Sequence, residues 1–283
     1  MREIISITSH PSTSELMKMT DNMIEEVSSL GLDIIYSSHY KKTPKKAIDK
    51  CRFIFYDCYN PIQGFNTPKK YDYVLTPLKK TNNNVFKNSQ VSISNTFAHF
   101  LSLKNSIEIA KNNSYDVLYS IVFDVQKFFN RDNLHKCFYP MRDSIENFDM
   151  VVYPLEVDAW GQDVNGKLIK ETKLIYDTKV FAINLKSKIV NNFFSKYSTL
   201  ENWSSLHEKW NPFVKKLLKT QETCYVCDFL EFILTLESKN FKVKLLDEYI
   251  PDGDSGFFEA LIEGRESTYD IEEERKLMNI KRT

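Results

Sequence analysis

The stretch IISITSHPSTSELMKMTDNMIEEVSSLGLDIIYSSHY, residues 4–40, decides the fold class. Ile4 to Thr8 is a short apolar run closed by the polar Ser9-His10-Pro11-Ser12, the pattern of a buried strand ending in a loop. Ser12, Thr13 or Ser14 can then cap a helix in which Leu16, Met19, Met23, Val27 and Leu30 recur at helical spacing until Gly31 stops it. Leu32 to Tyr36 is a second apolar strand, followed by Ser37-Ser38-His39-Tyr40. Strand, helix, strand in such quick succession predicts an α/β chain with a mostly parallel central sheet flanked by helices. Ligands of such open sheets bind outside the carboxyl ends of the strands, which is where both polar runs fall.

Working outward, Thr43-Pro44 opens a short helix carrying Ala47 and Ile48, and a third strand, Phe53 to Tyr56, ends in Asp57-Cys58-Tyr59-Asn60-Pro61. Residues 61–93 read as connection. Ser94 to Asn112 is a helix with Phe97, Phe100, Leu101, Leu103, Ile107 and Ala110 inward, feeding a strand Val117 to Phe123 that ends at Asp124. Asp149 to Leu155 is another strand, with a carboxylate-rich loop over 156–163 behind it, and Lys179 to Ile183 a further one. Asn184 to Lys219 reads as two amphipathic helices, Cys224 to Leu236 as a buried helix, and Val243 to Leu246 as a strand before the Pro251 to Gly256 turn and a charged tail. The division is an α/β core over 1–183 and a helical segment over 184–283 packed on it, or one continuous domain.

With 42% hydrophobic and 27% charged residues, the chain has a globular composition and is too apolar for disorder. The 38 basic and 38 acidic side chains cancel, so no long-range field draws it to nucleic acid, although a nucleic-acid acceptor is left open. Five cysteines are too few and too odd in number for a disulfide framework and predict a reducing, cytoplasmic setting. No run approaches the ~20 apolar residues that cross a membrane. Neither G-x-G-x-x-G nor G-x-x-x-x-G-K-[ST] occurs, which excludes dinucleotide and P-loop phosphate sites.

The ordered set Ile4-Ile5-Ser6-Ile7-Thr8-Ser9-His10, Ile34-Ile35-Tyr36-Ser37-Ser38-His39, Phe53-Ile54-Phe55-Tyr56-Asp57 and Asn105-Ser106-Ile107-Glu108-Ile109-Ala110-Lys111, followed by Tyr115-Asp116-Val117-Leu118 and a strand ending in Asp, resembles a nucleotide-sugar glycosyltransferase of the GT-A type. The resemblance spans residues 3–250. It implies a GT-A-like, Rossmann-like sheet and transfer of a sugar from a nucleoside diphosphate donor to a glycan or other hydroxyl acceptor. It also implies that Thr8, Ser9, His10, Ser38, Asp57 and Asn105 hold the donor, and that Asp124 meets the diphosphate through a divalent metal, Mn²⁺ or Mg²⁺. The family usually has Asp-x-Asp there, whereas this chain reads Ser120-Ile121-Val122-Phe123-Asp124-Val125-Gln126, with one carboxylate. An inverting reaction needs a carboxylate to deprotonate the acceptor; Asp228 is the first candidate and Glu231, three residues on, the alternate. Glu156 and Asp158 beside Trp160 suit an acceptor sugar, which stacks on an aromatic face and donates hydroxyls to carboxylates.

Each of these residues has a plainer reading: Asp124 and Asp57 as strand-end turn residues, Asp228 as a helix cap, Glu156 and Asp158 as a solvated acidic loop. Cys224-x-x-Cys227 lacks the second ligand pair of a zinc site and reads as buried thiols. The Lys41, Lys42, Lys45, Lys46 cluster reads as a solvated face. Two rival functions remain. One is a nucleotidyltransferase, which would call for a basic, glycine-rich phosphate loop. The other is a non-catalytic binding protein on a degenerate transferase scaffold, motivated by the missing first Asp.

Overall fold

The computed structural model describes residues 1–9, 11, 14–38, 42–56, 93–123, 125–162, 168–199, 202, 205, 206, 209, 223–225, 234, 237 and 240–246. The chain opens with β1 (Glu3–Ser9), α1 (Ser14–Ser28), β2 (Asp33–Ser38), α2 (Lys45–Lys50) and β3 (Phe53–Tyr56). There follow α3 (Ile93–Asn112), β4 (Val117–Val122), α4 (Arg131–Ile145), β5 (Met150–Gln162), β6 (Leu168–Asn184), β7 (Thr223–Tyr225) and β8 (Val243–Leu245). α1 lays Thr20, Met23, Ile24 and Val27 on the sheet at helical spacing. It closes with Ser29, Leu30 and Gly31 amides bonded back to Glu26, Val27 and Ser28 carbonyls, and Gly31 takes φ +69°, a conformation that costs an L side chain.

Among the described residues the strands form an eight-stranded sheet in the order β3-β2-β1-β4-β6-β5-β7, with β8 also paired to β5. The β3-β2-β1-β4 half is wholly parallel, the Rossmann-like arrangement that the first residues predict. β6 runs against both β4 and β5, and β7 against β5, so six strands share one direction and two oppose them. The core lies on both faces. Phe100, Leu103, Ile107 and Ala110 of α3 meet Ile4, Ile35 and Leu118 on one, and α1 and α4 meet Ile5, Ile7, Tyr36 and Tyr119 on the other.

Several elements depart from the sequence expectation. Residues 156–162 are strand, not loop: β5 runs on to Gln162 and pairs with a β6 that starts at Leu168, well before Lys179. Strand formation follows the partner more than local polarity, and Asn165-Gly166, the strongest short hairpin signal, stands between the two strands. Residues 223–225 are also strand, paired to Trp160, Gly161 and Gln162, where a helix is expected. α4 goes unpredicted because Pro140 falls inside it; its Leu134, Phe138, Met141 and Ile145 are nonetheless buried at helical spacing, and Asn130 caps it by accepting from the Asp132 and Asn133 amides. Ile48 of α2 points to solvent while Ala47 is buried. After Asn184 the chain forms a π-helical turn, Val190–Ser195, that buries Val190, Phe193 and Phe194.

The register of β5 and β6 slips between Val152 and Pro154. Proline has no amide to give the ladder, so the slip falls where a rung is already missing. β4 pairs with β6 only from Val180 to Asn184, so the β5–β6 ribbon past the slip continues beyond the end of β4, with β7 added along its tip. That is on the order of 25 Å of strand.

Candidate functional site at the carboxyl ends of the strands

The carboxyl ends of β1, β2, β3 and β4 meet in register. One row aligns Val122, Thr8, Ser37 and Phe55; the next aligns Ser9, Ser38 and Tyr56. The Phe123 amide extends the β1–β4 pairing by donating to the Thr8 carbonyl at 3.1 Å. β1 is flanked by β2 on one side and β4 on the other, and the connections leave it in opposite directions, which makes its carboxyl end the point where an open sheet forms its crevice.

The pleat sorts the hydroxyls onto the two faces of the sheet. On the α3 face, Ser6 Oγ donates to Ser106 Oγ at 2.7 Å, Ser37 Oγ and Ser102 Oγ share a proton at 2.6 Å, and Ser106 Oγ donates to the Ser102 carbonyl. These four serines are fully buried, and their small size lets α3 lie close over β1 and β2. On the opposite face Ser9 Oγ lies 2.7 Å from Thr20 Oγ1 of α1. Tyr36, also fully buried, donates its phenol proton to the Lys42 carbonyl at 3.1 Å. Burial raises the phenol above its ordinary pKa, so it stays protonated.

Thr8 is the exception. It is 9% exposed, and its Oγ1 is buried with no hydrogen-bond partner among the described residues. An unpaired buried hydroxyl costs roughly 1–3 kcal/mol, so a strand-end position that keeps one is suited to a ligand.

The sequence-derived candidates divide as follows. Thr8, Ser9 and Ser38 stand in register at the strand ends; the Ser9 hydroxyl is hydrogen-bonded to Thr20, while the Thr8 hydroxyl has no partner among the described residues. Asn105 is half-buried on α3 between Ser102 and Ser106, the residues that hold that helix on the sheet. Glu156, Asp158 and Trp160 are in β5, in register with Leu174, Thr172 and Lys170 on the ribbon past the slip. His10, Asp57, Asp124, Asp228 and Glu231 lie outside the described residues. Sequence reasoning missed Tyr36, whose position inside an apolar strand hid its polar tip; a tyrosine followed by two serines at a strand end was the available signal.

Among the described residues no group of three or more His, Cys, Asp or Glu side chains is placed to share a metal ion. The described ends of β1 to β4 supply hydroxyl and carbonyl oxygens. Burial pushes the Cys51 thiol up to about 12, which makes it an unreactive packing residue. A polar cleft of about 800 Å³ opens at the other end of the sheet, beside Asp149, Lys186, Lys188, Asn191, Lys196 and Glu237. Its acids are engaged within the fold: Asp149 accepts from Ser187 Oγ and the Lys242 amide, and Glu237 pairs with Lys209. No helix among the described residues is long and apolar enough to cross a membrane.

No protein-family model matches the chain, and no curated protein does. Among solved structures it is similar to CMP:2-keto-3-deoxy-manno-octonic acid synthetase complexed with CTP, at 8% identity and a TM-score of 0.42, over 93% of this chain and 98% of that one. It is also similar to mannose-1-phosphate geranyltransferase from Thermus thermophilus, at 10% identity and a TM-score of 0.45, over 92% of this chain and 78% of that one.

Proposed function

We propose that this protein is a transferase of nucleotide-sugar chemistry that holds its nucleotide over the carboxyl ends of β1 and β4. The observation that carries the reading is the buried, unpaired Thr8 hydroxyl at the sheet's switch point. Asp124 follows Phe123, whose amide is bonded to the Thr8 carbonyl, so the reading gives Asp124 the phosphates, through Mn²⁺ or Mg²⁺ when the ion is bound. The metal would supply charge neutralisation at the departing oxygen. His10 and Asp57, which follow β1 and β3 in sequence, complete the nucleotide contacts in this reading.

Two bond cleavages suit such a site. In glycosyl transfer, the reading favoured by the sequence resemblance, the acceptor oxygen attacks the anomeric carbon, its proton passes to Asp228 or Glu231, and nucleoside diphosphate leaves. Glu156, Asp158 and Trp160, on the ribbon that continues past β4, would then receive the acceptor. In nucleotidyl transfer, a sugar acid or sugar phosphate attacks the α-phosphorus of a nucleoside triphosphate and pyrophosphate leaves. This second reading does not call on Glu156, Asp158 and Trp160, which are strand where an acceptor loop is expected.

The test is melting of the wild-type protein and of Thr8→Val against a panel of nucleoside di- and triphosphates and nucleotide sugars, with and without Mn²⁺. A ligand that binds only the folded state raises the midpoint. One nucleotide class is expected to raise it in wild type. Thr8→Val should melt slightly higher than wild type without ligand, because the unpaired hydroxyl is gone, yet bind the nucleotide roughly five- to tenfold more weakly, about the worth of one hydrogen bond. No rise with any nucleotide would overturn the reading. Product analysis then separates the two cleavages: released nucleoside diphosphate means glycosyl transfer, released pyrophosphate means nucleotidyl transfer.

A further inference from the structure

We infer that the polar cleft at the amino ends of β4 and β5 is a second binding site, for an anionic sugar: a polyhydroxyl ring that carries a carboxylate or a phosphate. It stands on its own residues and does not rest on the nucleotide reading. The length of β4, about 20 Å, separates it from the Thr8 end of the sheet, so one small ligand does not span both.

The cleft holds about 800 Å³, within the range of small-ligand sites. One wall is the turn after β6. There the Leu185 amide donates to the Asp116 carbonyl, the Lys186 amide to Asn184 Oδ1, Ser187 Oγ to Asp149 Oδ1 and the Ile189 amide to Ser187 Oγ, all between 2.6 and 3.1 Å. These bonds fix the backbone that carries Lys186 and Lys188, and a site ordered before its ligand arrives loses less on binding. The adjoining wall is the π-helical turn Val190–Ser195, anchored by the buried Phe193 and Phe194. An α-helix, with about 3.6 residues per turn, sends residues five apart to different sides. The wider π turn brings Asn191 and Lys196 to the same side, and both line the cleft with Asn192. Such turns are rare and recur at functional sites.

The charge on these walls is unevenly spent. Asp149 accepts from Ser187 and the Lys242 amide, and Glu237 accepts from the Lys209 ammonium and the Tyr197 hydroxyl. Lys186 is paired with Asp116 at 2.6 Å. Among the described residues no carboxylate comes within ion-pair distance of Lys188 or Lys196, and the Lys196 ammonium lies over the Tyr197 ring at 5.0 Å. Two uncommitted ammoniums match one or two anionic groups, too few for the phosphate chain of a nucleic acid. Asn192 and Asn240 add amides that both donate and accept, the double role that sugar hydroxyls call for. Phe241, half-buried against the core, gives the cleft an apolar patch for a ring face.

The test is calorimetric titration of the full chain at low salt with glucose 6-phosphate and with glucuronate, with glucose and inorganic phosphate as controls. Wild type is expected to bind at least one of the two anionic sugars, and each control roughly tenfold more weakly, since each lacks one half of the contacts. The double variant Lys188→Gln, Lys196→Gln changes two exposed side chains and should melt close to wild type, yet bind the anionic sugar roughly tenfold more weakly or worse. Asn192→Ala should weaken the anionic sugar several-fold and leave inorganic phosphate unchanged. Thr8→Val should bind the anionic sugar as wild type does. Failure of wild type to bind either anionic sugar would overturn the inference, as would equal affinity in the double variant. Inorganic phosphate that binds as tightly as glucose 6-phosphate would also overturn it, by reducing the cleft to an anion site. Loss of sugar binding in Thr8→Val alone would move the sugar to the other end of the sheet and overturn it too.

Discussion

At the scale of single residues, this chain separates polar groups that serve the fold from those that do not. Glu25 serves it: the Lys46 and Lys50 ammoniums, both within 2.8 Å, hold its carboxyl down to about 2. A depressed carboxyl stabilises the folded state above its unfolded value and loses that contribution as pH falls through the folded one. The α1–α2 tie should therefore be whole above about pH 4.5 and gone near pH 2, and salt should weaken it because the pair is half-exposed. The expected outcome is that the melting difference between wild type and Glu25→Gln narrows steadily as pH falls across that range. A difference that stays constant would assign the tie to packing. Thr8 is the opposite case, a buried hydroxyl with nothing to bond among the described residues. The sequence marks both as polar residues and does not distinguish them, because the distinction lies in partners brought from other elements.

At the scale of elements, what the sequence showed and what it hid have physical causes. β1, α1, β2 and β3 were legible because each is a single apolar period cut by a strong stop, and Gly31 is the clearest. With φ at +69° and nothing within 4 Å of the position a Cβ would take, Gly31→Ala should cost about 1 kcal/mol through backbone conformation alone. Urea unfolding should show that loss, and Gly31→Asn, which tolerates the left-handed region, should recover part of it. The β5–β6 ribbon was not legible: Glu156 and Asp158 look like loop when read alone, and only the facing residues of β6 make them strand. α4 was hidden by Pro140, and β7 by a Cys224 neighbourhood whose apolar run fits either element. The strand-end hydroxyls were legible as a group, since polar residues closing apolar strands are a local pattern. Which partner each takes was not, because Ser9 turns to Thr20 and Ser37 to Ser102 according to the face each side chain occupies.

At the scale of the whole molecule, Asp149 is the joint between the sheet's centre and its last strand. Its two carboxylate oxygens accept from Ser187 and the Lys242 amide, its own amide donates to the Lys242 carbonyl, and its carbonyl accepts from Asn184. Asp149→Ala should free the approach to β8 before anything else. Hydrogen exchange at Val243 to Leu245 is expected to quicken roughly tenfold or more while β1 and β4 keep their protection, since a segment opens locally once the bonds that anchor it are removed. Uniform quickening across the sheet would instead make Asp149 part of the global core. Lys242 reaches Asp149 from 93 residues further along the chain, and β8 pairs with β5 over the same span. A chain made from its amino end has β1 to β6 in hand long before that strand exists, and the edge of β5 over Met150 to Val152 waits bare in the meantime. Until β8 arrives, that edge offers its unpaired amides and carbonyls to any other extended segment that reaches it, a second copy's included.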